Sequence, residues 1–119
     1  MQIHPTHLDG VVIVEPKVYT DLRGYFFESY QKDRNLWNGI PCDFVQASLS
    51  FSIKGTLQGL HYQCPRAQTK LVSVIVGKVF YVALYIRRGS ATLGRWAGVI
   101  LSGYNHRRLL TPEDFAHGF

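Results

Sequence analysis

Short apolar runs recur along the whole 119-residue chain, and glycine, proline and asparagine separate them. Some runs alternate with polar residues and others are continuously aliphatic. Both patterns are typical of β-strands that bury one face or both. We predict strands at residues 11–14, 25–30, 44–52, 56–63, 71–76, 79–86, 95–101 and 107–111.

Alternation is clearest at residues 79–86 and 44–52, where every second residue belongs to the same face. Residues 31–39 hold the one modest helical possibility, ending at Gly39. Many short strands, regular turns and almost no helix predict an all-β sandwich or barrel. In residues 79–86, one predicted face carries Val79, Tyr81, Ala83 and Tyr85, and the other carries Phe80, Val82, Leu84 and Ile86.

Composition indicates one globular domain with an anionic partner. The chain is 46% hydrophobic and 18% charged, and its 13 Lys and Arg against 8 Asp and Glu give a formal net charge of +5. These values exclude a disordered chain and favour a nucleic acid, a nucleotide or a phosphorylated metabolite as the ligand. The 13% aromatic content admits a barrel that binds single-stranded nucleic acid. Because no strand interleaves basic and aromatic residues, we expect no nucleic-acid partner.

The chain shows no targeting or membrane segment. Residues 1–10 are polar, so they lack the apolar core of a signal peptide, and we expect them to be unstructured. The longest aliphatic runs, 11–14 and 74–76, are far too short to span a bilayer. We expect a cytoplasmic protein with no membrane partner. We also expect Cys42 and Cys64 to be reduced and unreactive.

A histidine and a lysine stand out as candidate chemistry. His61 lies inside an apolar run, and Lys70 follows after a polar loop. Histidine is the side chain best suited to take a proton near neutral pH, and a lysine ammonium stabilises an oxygen that gains negative charge. If residues 56–63 and 71–76 form a hairpin that pairs residue 63 with residue 70, His61 and Lys70 share a face. Both also have simpler interpretations, as a hydrogen-bonded structural histidine and a solvated lysine.

No metal site is expected. His61 and His117 invite comparison with metal-binding β-proteins, but Gln63 stands where a His-x-His pair would need its second histidine. Gln58 and His61 lie on opposite faces of a regular strand. A bulge near Gly59 is therefore required for both to reach one pocket.

Several blocks of sequence fall in a single order that identifies a family. The chain resembles the dTDP-4-dehydrorhamnose 3,5-epimerase family from about Val11 to Phe119. The blocks are residues 15–19 (EPKVY), 21–29 (DLRGYFFES), 44–46 (FVQ), 59–63 (GLHYQ), 68–72 (QTKLV), 86–90 (IRRGS) and 115–119 (FAHGF).

The resemblance implies a cupin-type jelly roll, a homodimer that shares sheet edges between protomers, and no metal or other cofactor. The implied substrate is dTDP-4-dehydro-6-deoxy-D-glucose, which is epimerised at C3 and C5 to the L-rhamno product, a precursor of L-rhamnose. His61 matches the family's base, and Lys70 matches the position beside the enolate oxygen. The positions that match substrate-binding residues are Arg23, Glu28, Gln46, Ser48, Gln58 and His117.

The chain also departs from the family's pattern. Gln58 replaces a usual arginine, Ser48 replaces a usual asparagine, and Tyr81 and Tyr85 replace usual acids. The family's proton-returning tyrosine and the aspartate that pairs with its base lie beyond the FAHGF block. We therefore expect residues 1–119 to form a single jelly-roll domain that lacks the family's C-terminal part. The alternative function is that of an inactive truncated homologue that binds a sugar nucleotide without turnover.

Overall fold

The computed structural model describes residues 1–40, 43–64 and 66–119. Across these residues the chain forms nine short strands and one helix. The elements are β1 (Gln2–Pro5), β2 (Val12–Glu15), β3 (Val18–Asp21), β4 (Gly24–Phe27), α1 (Lys32–Trp37), β5 (Lys70–Ser73), β6 (Lys78–Tyr85), β7 (Trp96–Ser102), β8 (Arg108–Thr111) and β9 (Phe115–Gly118).

Two antiparallel sheets form the body of the fold. One is four-stranded, in the order β1-β2-β8-β5, and the other is three-stranded, in the order β7-β6-β9. Strands β3 and β4 make a separate two-stranded hairpin. The predicted all-β architecture is confirmed.

The core lies between the two sheets. Leu109 of β8 packs in one buried cluster with Tyr81, Ala83 and Phe115 of the other sheet. The next residue of β8, Leu110, packs in a second cluster with Val14 and Ile40. Since successive residues of a strand point to opposite faces, β8 is covered on both sides. This explains why its sequence is largely apolar without alternation.

Strand β6 confirms the predicted faces of residues 79–86. Tyr81 and Ala83 are buried, whereas Phe80 is 54% exposed. The helix is also confirmed within the predicted span. The Gln31 side chain caps its start by accepting from the Arg34 backbone N–H, and the chain leaves it through Gly39 at a φ of 84°.

Two predicted strands are wrong. Residues 44–52 form no strand, and residues 56–63 contribute one isolated bridge at His61. Alternation makes a strand only where a neighbouring strand accepts its hydrogen bonds. In the described part of this chain no strand lies beside residues 44–52. Apolar side chains there are exposed, among them Val45 (94%), Leu49 (81%) and Phe51 (90%).

The predicted hairpin between residues 56–63 and 71–76 is also wrong. Strand β5 pairs with β8, with Lys70 opposite Thr111 and Leu71 opposite Leu110. The start of the chain differs from the expectation too, because β1 pairs with β2 rather than being unstructured. Within the described ranges, no helix is long and apolar enough to cross a membrane. Cys64 is an exposed free thiol, and the prediction for Cys42 falls outside the described residues.

Candidate functional site

Strand β9 places His117 on the inner side of its sheet. It pairs with β6, which sets His117 opposite Ala83 and Phe115 opposite Tyr85. Ala83 and Phe115 both belong to the buried cluster between the sheets. Directly opposite residues of an antiparallel pair share a face, so His117 also faces the interior. Its side chain is half-buried, which leaves part of the ring accessible.

His61 reaches the same place through the free edge of β9. Its backbone N–H donates to the His117 carbonyl at 2.9 Å, and the His117 N–H donates to the His61 carbonyl at 2.9 Å. The pairing puts both side chains on one face, with their ring centroids 6.3 Å apart. His61 itself is exposed, so it lies at the opening of the interior rather than inside it.

A bulge brings Gln58 into the same register. Gln58 exchanges backbone hydrogen bonds with Phe119, at 2.7 and 2.9 Å, while His61 pairs with His117. Three steps along one segment therefore match two steps along β9, which is one extra residue. A Cβ on Gly59 would lie 2.9 Å from the Gly118 Cα, so this close approach requires glycine. The bulge that the sequence analysis required near Gly59 is present.

Lys70 comes from the opposite sheet. It opens β5, two residues before Val72, which packs against the core between the sheets. The two-residue period of a strand gives Lys70 the same inward direction. Its charge acts on His117, whose pKa it helps to lower. His61 and Lys70 therefore both lie near His117, although not through the predicted hairpin.

Burial and charge make His117 a neutral imidazole. Desolvation, together with the smaller effects of Lys70 and His61, lowers its pKa from 6.5 to about 4. A positive His117 would lose hydration and meet the Lys70 ammonium. In the part of the chain that the structure describes, Lys70 forms no ion pair. Its charge is therefore available to a ligand.

Tyr81 completes the group and was not among the predicted site residues. Its hydroxyl lies 2.7 Å from Nδ1 of His117, and the two rings are nearly parallel with centroids 6.0 Å apart. Burial raises the pKa of Tyr81 to about 12, so it stays protonated. The available signal was its place on one of the two predicted faces of residues 79–86, but alternation does not show which face is buried or which residue of another strand lies opposite.

The side chains of the remaining predicted site residues are exposed and form their hydrogen bonds outside this interior group. Arg23 donates to the Asp21 carboxylate at 2.7 Å, and the pKa of Asp21 is lowered as a result. Glu28 accepts from Arg34 at 2.6 Å. The other three lie in the irregular stretch after α1: Gln46 donates to Ser48 at 3.2 Å, and Gln58 donates to Ser52 at 3.2 Å.

Metal chemistry has no visible basis in the described residues. No group of three or more His, Cys, Asp or Glu side chains there is arranged to hold an ion. The group consists of two imidazoles, one ammonium and one phenol, which are side chains that can transfer a proton or stabilise a negative oxygen. The absence of a cofactor stays a prediction from the resemblance.

The two facing antiparallel sheets, with an acid–base group at the opening between them, define a cupin-type jelly roll. Sequence comparison specifies the family: residues 5–119 match the dTDP-4-dehydrorhamnose 3,5-epimerase family. A dTDP-4-dehydrorhamnose 3,5-epimerase of Methanothermobacter thermautotrophicus is 50% identical over 114 residues, which is 96% of this chain and 62% of the relative. The chain belongs to the dTDP-4-dehydrorhamnose 3,5-epimerase family.

Solved structures agree with this assignment. The dTDP-6-deoxy-D-glucose-3,5-epimerase of Legionella pneumophila, in complex with dTDP-4-keto-L-rhamnose, superposes with a TM-score of 0.93 at 53% identity. The match covers 99% of this chain and 63% of that one. The dTDP-4-dehydrorhamnose 3,5-epimerase of Bacillus anthracis, with TDP and pyrophosphate bound, also gives a TM-score of 0.93, at 42% identity, and covers 99% and 69%. This chain therefore spans about two thirds of the length of these relatives.

Proposed function

We propose that this chain carries the proton-abstracting part of an epimerase site for dTDP-4-dehydro-6-deoxy-D-glucose. The reaction inverts C3 and C5 and yields dTDP-4-dehydro-L-rhamnose. The observation that carries the proposal is the meeting of His61, Lys70 and His117 at the opening between the two sheets. The 50% identity to an epimerase of this name supports the same reaction.

His61 acts as the base. Hydrogens on C3 and C5 are acidic because the C4 ketone accepts the electron pair that each C–H bond leaves behind. An exposed imidazole at the opening reaches these hydrogens without entering the core. Each inversion is completed when an acid on the opposite face of the carbon, in this family a tyrosine beyond the FAHGF block, returns a proton.

Lys70 stabilises the enolate that forms between the two proton transfers. Its ammonium is half-buried and its neighbour His117 is neutral, so the positive charge is concentrated on Lys70. One donor of this kind is typically worth about 3 kcal/mol of barrier. The attraction between the ammonium and the oxygen is strongest when the oxygen becomes negative, so Lys70 stabilises the transition state more than the bound ketone.

The substrate-binding residues are Arg23, Glu28, Gln46, Ser48, Gln58 and His117, and a second copy of the chain brings them together. Arg23 is suited to the diphosphate because a guanidinium donates to two phosphate oxygens at once. Its side chain is 91% exposed beside Asp21, so it is free to exchange partners. The bound nucleotides of the Legionella and Bacillus relatives support a ligand of this class.

A homodimer follows from the apolar surface of the stretch between α1 and His61. Phe51 is 90% exposed, Leu57 87% and Ile53 73%. Such a stretch gains a partner strand and a cover for its side chains from a sheet edge of a second copy. We place the protein in the cytoplasm, in accordance with the free thiol of Cys64.

Solvent deuterium exchange tests the reaction. The wild-type protein should incorporate deuterium at C3 and C5 of the keto sugar nucleotide, as followed by NMR. His61→Ala should slow the exchange about 10²–10⁴-fold, because a positioned general base contributes that much. His4→Ala is the matched control, since His4 pairs with Glu15 on β1 and β2 and should leave the exchange unchanged. Wild type without exchange, or undiminished exchange in His61→Ala, contradicts the proposal.

The alternative is binding without turnover. The Gln58 side-chain amide donates to Ser52. This amide is neutral, so it binds a phosphate more weakly than a cationic side chain does. Calorimetry with dTDP, together with the exchange experiment, distinguishes the epimerase from the binding module and from a protein that does not bind dTDP. Binding with exchange supports the epimerase, binding without exchange supports the binding module, and no affinity for dTDP excludes both.

A further inference from the structure

We propose that Tyr81 is a positioning residue that holds His117 as one neutral tautomer, with its proton on Nε2, and so makes it a hydrogen-bond donor to the sugar nucleotide. This assignment rests on the proposed function for the identity of the ligand. The tautomer itself follows from the geometry of the described residues alone.

The contact is short and well packed. Tyr81 is 4% exposed and lies near the middle of β6, within the buried cluster between the sheets. Its hydroxyl is 2.7 Å from Nδ1 of His117. The rings of Tyr81 and His117 are inclined by 15°. The Phe119 ring also lies beside Tyr81, with the two ring centroids 6.4 Å apart. A phenol held on several sides has little freedom to seek another partner.

The direction of the hydrogen bond follows from the need to satisfy a buried donor. Within the three described ranges, the Tyr81 hydroxyl has His117 as its one hydrogen-bond partner. If Nδ1–H donated to the phenol, the phenolic proton would be buried without an acceptor, at a cost of about 1–3 kcal/mol. If the phenol donates, its proton is satisfied and Nδ1 is the acceptor. A neutral imidazole then carries its one proton on Nε2.

The surroundings keep this state in place. Lys70 and His61 both disfavour a positive His117, so the ring does not gain a second proton near neutral pH. Lys70 has donors and no acceptor, and His117 offers a donor at its ligand-side nitrogen. The inner wall therefore selects a ligand oxygen that accepts hydrogen bonds, as a sugar ketone, hydroxyl or enolate oxygen does.

NMR of protein labelled with ¹⁵N-histidine reads the tautomer directly. In the wild type, His117 should show an unprotonated Nδ1 and a protonated Nε2 at pH 7. Tyr81→Phe should remove this preference and give a mixture of tautomers. Tyr85→Phe is the matched control: Tyr85 lies on the same face of β6 and packs on Phe115, with centroids 5.0 Å apart, so its loss should leave the His117 signals unchanged.

A protonated Nδ1 in the wild type, or an unchanged tautomer in Tyr81→Phe, overturns the proposal. The wild-type spectrum decides the first point even if Tyr81→Phe fails to fold. For the ligand, calorimetry compares dTDP-glucose with dTDP. Tyr81→Phe should weaken dTDP-glucose about twofold, because about half of the His117 rings then carry the wrong tautomer, and should leave dTDP unchanged. Equal loss for both ligands contradicts the donor role. A wild type that binds neither excludes the proposed function, while the spectrum still decides the tautomer.

Discussion

His117 is the residue at which the candidate site is organised. It exchanges backbone hydrogen bonds with His61, its Nδ1 lies 2.7 Å from the Tyr81 hydroxyl, and the charge of Lys70 acts on it. A histidine in this position is stable in its neutral form, because a positive ring would be repelled by the Lys70 ammonium. Burial secures that form, and its cost appears as a dependence of folding stability on pH.

The free energy of unfolding should fall as the pH is lowered from about 6.5 to about 4. The pKa of His117 is 6.5 when unfolded and about 4 when folded, so over this interval the unfolded chain binds a proton that the folded chain does not. Because solvent screens the half-buried ring, the expected difference is about 1–2 kcal/mol. Urea unfolding at pH 7, 6 and 5 measures it. His117→Gln, which cannot titrate, should show a flatter profile, and equal slopes in both proteins would contradict the assignment.

The edge of β9 is the element that assembles the site. One side of β9 pairs with β6, and the other holds residues 58–61 through four backbone hydrogen bonds. The bulge within that stretch fits because Gly59 and Gly118 face each other without side chains. A short irregular stretch is thus held at two points, and His61 is at one of them.

Gly118→Ala should detach this stretch while leaving the two sheets paired. A Cβ at residue 118 would meet the Gln58 carbonyl and lie 3.0 Å from the Gly59 Cα, so the backbone of residues 58–59 must move away. Hydrogen exchange should show lost protection of the His61 and His117 amides, and deuterium exchange into the substrate should fall at least tenfold. Gly89→Ala is the control, because it places a Cβ in open space, at a φ of 78°, and so costs stability without displacing residues 58–59. Retained protection in Gly118→Ala would show that β9 does not position His61.

The molecule as a whole has more exposed apolar surface than its sheets can cover. Part of this surface lies on the stretch of residues 45–57, which pairs with no strand of the described chain, and on the β3–β4 hairpin, where Phe26 is 69% exposed. Exposed apolar stretches of this extent mark interaction sites. The proposed dimer would cover them and bring Arg23, Glu28, Gln46 and Ser48 to an interior group from which they lie apart in one copy.

Phe51→Asp should convert the proposed dimer into a monomer. Phe51 is 90% exposed, so the substitution removes no contact from the single chain but introduces a charge where a second copy is expected to pack. Light scattering coupled to size-exclusion chromatography gives the mass. Tyr104→Asp, at a position 92% exposed on a turn, is the control and should remain dimeric. A monomeric wild type at tens of micromolar would exclude the dimer.

Local patterns in the sequence were enough for the all-β class, the two faces of β6 and the short helix, because alternation, turn residues and caps act over a few residues. The resemblance carried by the ordered blocks also points to His61, Lys70 and His117. Strand pairing was a different matter. Residues 44–52 alternate like a strand yet find no neighbour in the described chain, and β5 pairs with β8 instead of with the segment before it. Strand pairing joins residues that are far apart in sequence, which local patterns do not encode. Only the tertiary structure therefore places Tyr81 beside Nδ1 of His117 and pairs His61 with β9.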